Sequence, residues 1–324
     1  MTGLLSLPRL PLAVTPTPLQ PAPRLSEAAG VEVWLKRDDL TGLGLGGNKV
    51  RGLEYLLADA VAGDADCLVT GAGPQSNWAM LAALGARRCG LDAFVAFYGD
   101  PIPPSGNLLL GELVGAEVTF TGDPDRASVD RAIEAVAERL RSAGRRPYVL
   151  PRGGATVLGA AGYARASLEL AEQLVAVGLA PVQLWVPTGS CGTQAGLVAG
   201  ARWLGLPYEV VGVTVSRPVA ECRDIIARLA AGVGEMLSPR LAGGPDARIT
   251  VLDGYLGPGY GRPSAEGSAA TTLVASTEGI FLDPVFGAKA MAALLDGARS
   301  GRLSGPAVFL VTGGAPTLFA VGSL

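Results

Sequence analysis

The sequence predicts an α/β protein built on mainly parallel sheets, and three observations carry that reading. Short β-branched runs alternate with longer amphipathic stretches along the whole chain. The 324 residues are 49% hydrophobic, enough for one large or two closely joined domains. Small-residue turns follow several of the apolar runs, and loops at strand C-termini are where such folds bind ligands.

Taken in order, the opening segment carries Thr15-Pro16-Thr17-Pro18 and Pro21-Ala22-Pro23 and reads as an extended arm. Strands are expected over 31–36, 67–70, 93–97, 117–120, 147–150, 183–186, 210–215, 249–252 and 307–311. Helices are expected between them, near 49–62, 76–89, 106–115, 127–143, 158–177, 193–204, 217–231, 264–277 and 286–299. The first shows the reasoning: apolar residues at 50, 53, 56 and 57 give a helical period starting at Lys49. The stretch 241–247 (LAGGPDA) reads as an exposed loop, and no internal repeat is found.

Composition excludes several function classes. The net charge is −3 without a basic cluster, so nucleic acid is not expected as a partner. Apolar stretches break well before the length of a membrane span. The proline-rich start lacks the features of a signal peptide, so a cytoplasmic location is expected. Cys67, Cys89, Cys191 and Cys222 show no paired spacing and read as free thiols. The chain has no histidine, which removes histidine base catalysis, histidine metal ligands and Ser-His-Asp triads; no metal is expected. It has only three lysines, Lys36, Lys49 and Lys289.

Three constellations carry chemistry. Gly44-Leu45-Gly46-Gly47-Asn48-Lys49 sets a lysine at a helix start after a glycine turn. The positive end of the helix dipole disfavours a charge there, so the amine is expected to be more nucleophilic. An ordinary glycine loop with a surface lysine is the alternative. Thr188-Gly189-Ser190-Cys191-Gly192-Thr193 follows an apolar strand and enters a helix. Free backbone N–H groups at such a turn suit a monophosphate, while the spacing of nucleotide loops is missing. A tight turn without a ligand is the alternative. Gln75-Ser76-Asn77-Trp78 follows the strand over 67–70; Ser76 suits a helix N-cap, and the group together suits a carboxylate. Cys191 has no neighbouring base and reads as a packing residue.

These segments together resemble the D-cysteine desulfhydrase and 1-aminocyclopropane-1-carboxylate (ACC) deaminase family of pyridoxal-phosphate (PLP) enzymes. That family has fold type II, the tryptophan-synthase-β-like fold. The resemblance runs over nearly the whole chain: 15–19 (TPTPL), 35–40 (LKRDDL), 46–51 (GGNKVR), 75–77 (QSN), 106–108 (GNL), 189–196, 283–285 (DPV) and 312–316 (TGGAP). It implies two open, twisted, mainly parallel sheets flanked by helices. The smaller domain would span 48–160, and 1–47 plus 161–324 would form the larger one. It implies PLP on Lys49 as a Schiff base, with Lys49 also moving the α-proton. Asn77 would lie beside the ring hydroxyl, Ser190, Cys191, Gly192 and Thr193 around the phosphate, and Thr312 at the pyridine nitrogen. Ser76 and Tyr260 would be catalytic; Gln75, Ser76, Asn77, Trp78 and Phe286 would meet a small amino-acid substrate. Lys36 would be structural, Lys289 peripheral, and the assembly a homodimer.

Three positions depart from the family pattern. Phe286 stands where a tyrosine is usual, Trp78 where a smaller or polar residue is usual, and Gly287 where ACC deaminases carry glutamate. The expected reaction is α-proton removal and β-elimination to a 2-oxo acid and ammonia. A β-replacement synthase, ACC ring opening, and a PLP-binding protein without turnover stay open as alternatives.

Overall fold

A computed structural model describes residues 4–237 and 249–320. The expected loop over 241–247 lies outside the described residues. Ten strands form two open sheets among the described residues. The first holds β1 (Leu19–Pro21), β2 (Val33–Arg37), β7 (Gln183–Thr188), β8 (Glu209–Thr214), β9 (Thr250–Leu252) and β10 (Ala307–Val311). Its order is β1-β2-β10-β7-β8-β9, and only β1 runs antiparallel. The second holds β3 (Cys67–Ala72), β4 (Asp92–Phe97), β5 (Glu117–Phe120) and β6 (Pro147–Val149), all parallel, in the order β5-β4-β3-β6.

Helices cover both faces of both sheets, as parallel strands require. Against the four-stranded sheet, α2 (Lys49–Ala62) and α3 (Asn77–Arg88) pack on one face. The amphipathic α5 (Ser128–Ser142) packs on the other through Val129, Ile133, Ala137 and Leu140. The large sheet lies between α1 (Pro23–Ala29), α9 (Ala265–Glu278) and α10 (Gly287–Arg299) on one side. On its other side lie α6 (Val157–Val177), α7 (Gly192–Leu204) and α8 (Val219–Leu237).

All nine expected strands and nine expected helices are present, with ends shifted by a few residues. The expected arm runs without helix or strand over 6–18, but it then adds β1 and α1. Proline permits both. Pro21 sits on a sheet edge, where no N–H is needed, and Pro23 opens a helix, where its N–H would be unpaired anyway.

Two sites follow from the strand orders. In the small sheet the order reverses between β3 and β6, and in the large sheet between β7 and β10. A crevice opens beyond the strand C-termini at such reversals. Here the two crevices face one cleft.

Candidate active site

The cleft encloses about 760 Å³ of space, part of it open solvent. Nearly every lining segment follows a strand end: Gly73, Ser76 and Asn77 after β3, Tyr98 after β4, Arg126 after β5, Arg152 after β6, Ser190 after β7, Ser216 and Arg217 after β8, and Thr312 after β10. Lys49, Trp78, Tyr260 and Phe286 complete the walls. A second recess continues from it past Lys49, Gly153 and Gly192.

Lys49 is the first residue of α2. The turn before it needs glycine, because Gly46 has φ +73° and a Cβ there would sit 1.9 Å from the Asp39 carbonyl. Thr41 accepts from and donates to Gly47, and the Asn48 N–H donates to the Thr312 carbonyl at 2.9 Å. The Asn48 amide also donates to Thr193 at 2.9 Å, so one asparagine ties together both turns of the large-sheet crevice. Sequence reasoning quoted Asn48 within a motif without giving it this part.

The Lys49 amine lies 3.4 Å from the Ser190 hydroxyl. Burial lowers its pKa from 10.5 to about 8. The direction agrees with the sequence reading, and its largest cause is desolvation by burial.

A buried charged network anchors this helix from behind. Arg51 binds Asp38 twice at 2.8 Å and Glu169 at 2.9 and 3.0 Å. Lys36 pairs with Glu169, and Tyr163 donates to Asp38. Lys36 is thus structural, as expected.

On α7, Cys191 is the N-cap with φ +72° and offers no side-chain cap. Gly192 and Thr193, which line the recess, thus begin α7 without a side-chain cap from Cys191. The Cys191 side chain turns into the core, where neighbouring Cys222 and burial push its thiol up.

Ser76 caps α3, accepting from the Ala79 N–H at 3.3 Å, and still faces the cleft. Asn77 accepts from Asn107 at 2.7 Å. Gln75 does not line the cleft. Its amide donates to the Ser105 carbonyl and accepts from the Asn107 N–H, both at 3.0 Å, so it anchors the loop before α4 (Gly106–Leu113). Trp78 does line it, but as a fixed wall. It is 3% exposed, donates to Thr70 at 2.9 Å, and lies against Gly154, where a Cβ would come within 2.3 Å of the ring.

Tyr260 and Phe286 meet edge to face, with ring centroids 6.1 Å apart. The guanidinium of Arg126 stands 4.1 Å above the Tyr260 ring. Burial raises the Tyr260 pKa, so its phenol stays protonated at neutral pH. Asp283 shapes the turn that presents Phe286, accepting from the N–H groups of Val285, Phe286 and Gly287 at 2.7–3.0 Å.

Lys289 corrects the sequence reading. It is not peripheral: it is 0% exposed and donates to the carbonyls of Leu256 and Gly259 at 2.8 and 3.1 Å. It thereby holds the turn that carries Tyr260. A lysine on a helix with small neighbours gives no sign of which way it points. The arginines at 126, 152 and 217 were also missed, because 23 arginines hide any three, although their place after strand ends was a usable signal.

A lysine with a lowered pKa, facing a small-residue turn at the crevices of two mainly parallel sheets, defines an enzyme of the class that carries an aldehyde cofactor on lysine. The chain belongs to the family of pyridoxal-phosphate dependent enzymes, which matches residues 10–313. A D-cysteine desulfhydrase of Salmonella paratyphi B (strain ATCC BAA-1250 / SPB7) is 42% identical over 330 residues, which cover 98% of this chain and 97% of that protein. A D-cysteine desulfhydrase of Salmonella newport (strain SL254) matches to the same extent. A solved structure of an ACC deaminase homologue superposes with a TM-score of 0.91 at 37% identity, covering 98% and 96% of the two chains. A fungal L-serine ammonia-lyase from Rhizomucor miehei shares the fold, with a TM-score of 0.68 at 18% identity, covering 94% of this chain and 95% of that one.

Proposed function

We propose that this cleft holds PLP on Lys49 and serves β-elimination from a small amino acid of the D-cysteine type, releasing a 2-oxo acid and ammonia. The single observation that carries the reading is the Lys49 amine, with its pKa near 8, set 3.4 Å from the Ser190 hydroxyl at the uncapped start of α7. The residues present fit the cofactor. The open N–H groups of Gly192 and Thr193 and the Ser190 hydroxyl suit its phosphate. Asn77 and Thr312 flank the space for its ring, and Trp78 closes one side.

Bound PLP supplies an electron sink for the charge left at the α-carbon. The chain supplies the rest. Ser76 and the start of α3 orient the substrate carboxylate. Lys49 takes the α-proton as a neutral amine. Tyr260, against Phe286, holds a proton for the departing group. Phe286 gives shape there and no hydroxyl. The substrate preference, the division at residues 48 and 160, a homodimer and a cytoplasmic location belong to the same proposal.

Borohydride treatment of the yellow protein tests it. PLP is expected on the peptide containing Lys49, and Lys49→Ala is expected to lose it. Label on Lys36 or Lys289 would overturn the assignment.

A further inference from the structure

Asn107, the second residue of α4, carries a buried amide that the proposed reaction leaves unused. Its main chain is already served. Ser105 offers no side-chain cap to α4, and Gln75 stands in for it by accepting from the Asn107 N–H at 3.0 Å. The Asn107 side chain does something else. Its Nδ2 donates to the Gln75 carbonyl at 3.0 Å and to the Asn77 Oδ1 at 2.7 Å. Its own Oδ1 is buried and accepts no hydrogen bond among the described residues. An unpaired oxygen in the interior is unfavourable. Turning the amide over would not relieve it, because a backbone carbonyl only accepts and the Gln75 carbonyl needs the NH2. The polarity is therefore fixed from the main chain outward: Gln75 sets Asn107, and Asn107 sets Asn77 with its oxygen turned toward α4. The Asn77 Nδ2 is left over. It stands at Gly314, where a Cβ would come within 2.4 Å of it, and finds no acceptor among the described residues. Asn77 lines the cleft together with Lys49 and Thr312.

Resting on the cofactor reading above, we propose that Asn107 is a positioning residue: by holding the Asn77 Oδ1, it makes the Asn77 amide present N–H, and not oxygen, to the ring hydroxyl of PLP. A donor there stabilises the ring oxygen as an anion. The proton then rests on the nitrogen that joins the cofactor to Lys49, and this tautomer absorbs in the visible. An acceptor there would keep the proton on the ring oxygen, and the bound cofactor would absorb in the near ultraviolet. Asn107 makes and breaks no bond itself; it sets where one proton of the cofactor rests. A purely mechanical tie between the starts of α3 and α4 would not need its amide, because the Gln75 side chain already bonds the main chain at Ser105 and at Asn107. The buried, unpaired Asn107 oxygen follows from the direction that the amide must take to set Asn77.

The test reads the absorbance of the holoenzyme, with PLP affinity and the urea midpoint measured on the same proteins. The native holoenzyme is expected to hold its visible band across the neutral pH range. Asn107→Asp replaces the donor by an acceptor of the same size, which Asn77 can satisfy only by turning its N–H groups away from the cleft. The ratio of near-ultraviolet to visible absorbance is expected to rise about tenfold; Asn107→Ala, which frees Asn77 to take either direction, is expected to give a smaller rise. In an Asn77→Ala protein, Asn107→Asp should add nothing to the ratio, because its effect passes through Asn77. A merely structural Asn107 would lower the urea midpoint and PLP affinity in both variants and leave the band ratio unchanged, and that result would overturn the proposal. So would a native holoenzyme dominated by the near-ultraviolet band, a measurement that needs no variant to fold. A shift of equal size with and without the Asn77 amide would place the effect elsewhere and overturn it too. In each of these cases the cofactor reading stands. A native protein that takes up no PLP on Lys49 would sink that reading, and the proposal with it.

Discussion

Lys49 shows how burial at one residue sets chemistry. An ordinary lysine is almost wholly charged at neutral pH, whereas this one titrates near 8 because the protein removes water from its amine. Only the neutral amine can attack the cofactor aldehyde. A lowered pKa moves that neutral form to lower pH, so the rate of PLP attachment to apo-protein should rise with pH and level off above about 8. Stopped-flow absorbance between about pH 6.5 and 9.5 checks this; a rate that climbs about tenfold per unit to the top of the range would contradict the shift. The position of Lys49 was legible because glycines and helical period mark it. Gln75 and Lys289 were less so. Gln75 looked like a substrate donor but spends its amide on the backbone at 105–107, and a lysine read as peripheral is fully buried. Side-chain direction is decided by tertiary packing, which local pattern does not encode.

At the scale of elements, α6 is the piece on which the site is mounted. It packs against α2, which carries Lys49, and α7, which starts at the phosphate turn. Small residues make these crossings close. A Cβ on Gly162 would fall 2.3 Å from the Arg51 carbonyl, and one on Gly196 only 2.1 Å from the Ala160 carbonyl. Gly196→Ala should therefore push α7 away from α6. A loss of about 1–3 kcal/mol is expected by urea denaturation, together with weaker PLP binding. An unchanged midpoint and unchanged PLP affinity would show that the contact tolerates a methyl. Periodicity revealed the helices themselves, while β1 and α1 escaped because a proline-rich segment reads as irregular. Nothing in a single sequence marked which glycines meet across helices and which merely turn the chain.

At the scale of the molecule, parallel order was legible from alternation, but strand order was not. The reversals between β3 and β6 and between β7 and β10 depend on long-range pairing that no local window contains. They explain why residues as far apart as Ser76, Arg152, Ser190 and Thr312 share one cleft. Removing residues 307–320 should leave the small sheet intact and abolish PLP binding. Limited proteolysis and cofactor absorbance would check this, and retained binding would refute it.

The place of β10 between β2 and β7 also imposes a schedule on synthesis. Strand β2 leaves the ribosome early and must wait about 270 residues for the neighbour that fills its open edge. The small sheet, whose strands all fall between residues 67 and 149, has every partner it needs much sooner. A nascent chain would thus own the wall with Ser76 and Trp78 while β2 still stood exposed. Strand β10 and Thr312 close the sheet and finish the cleft together, so a chain able to capture its cofactor is one in which every other strand of both sheets has already been made.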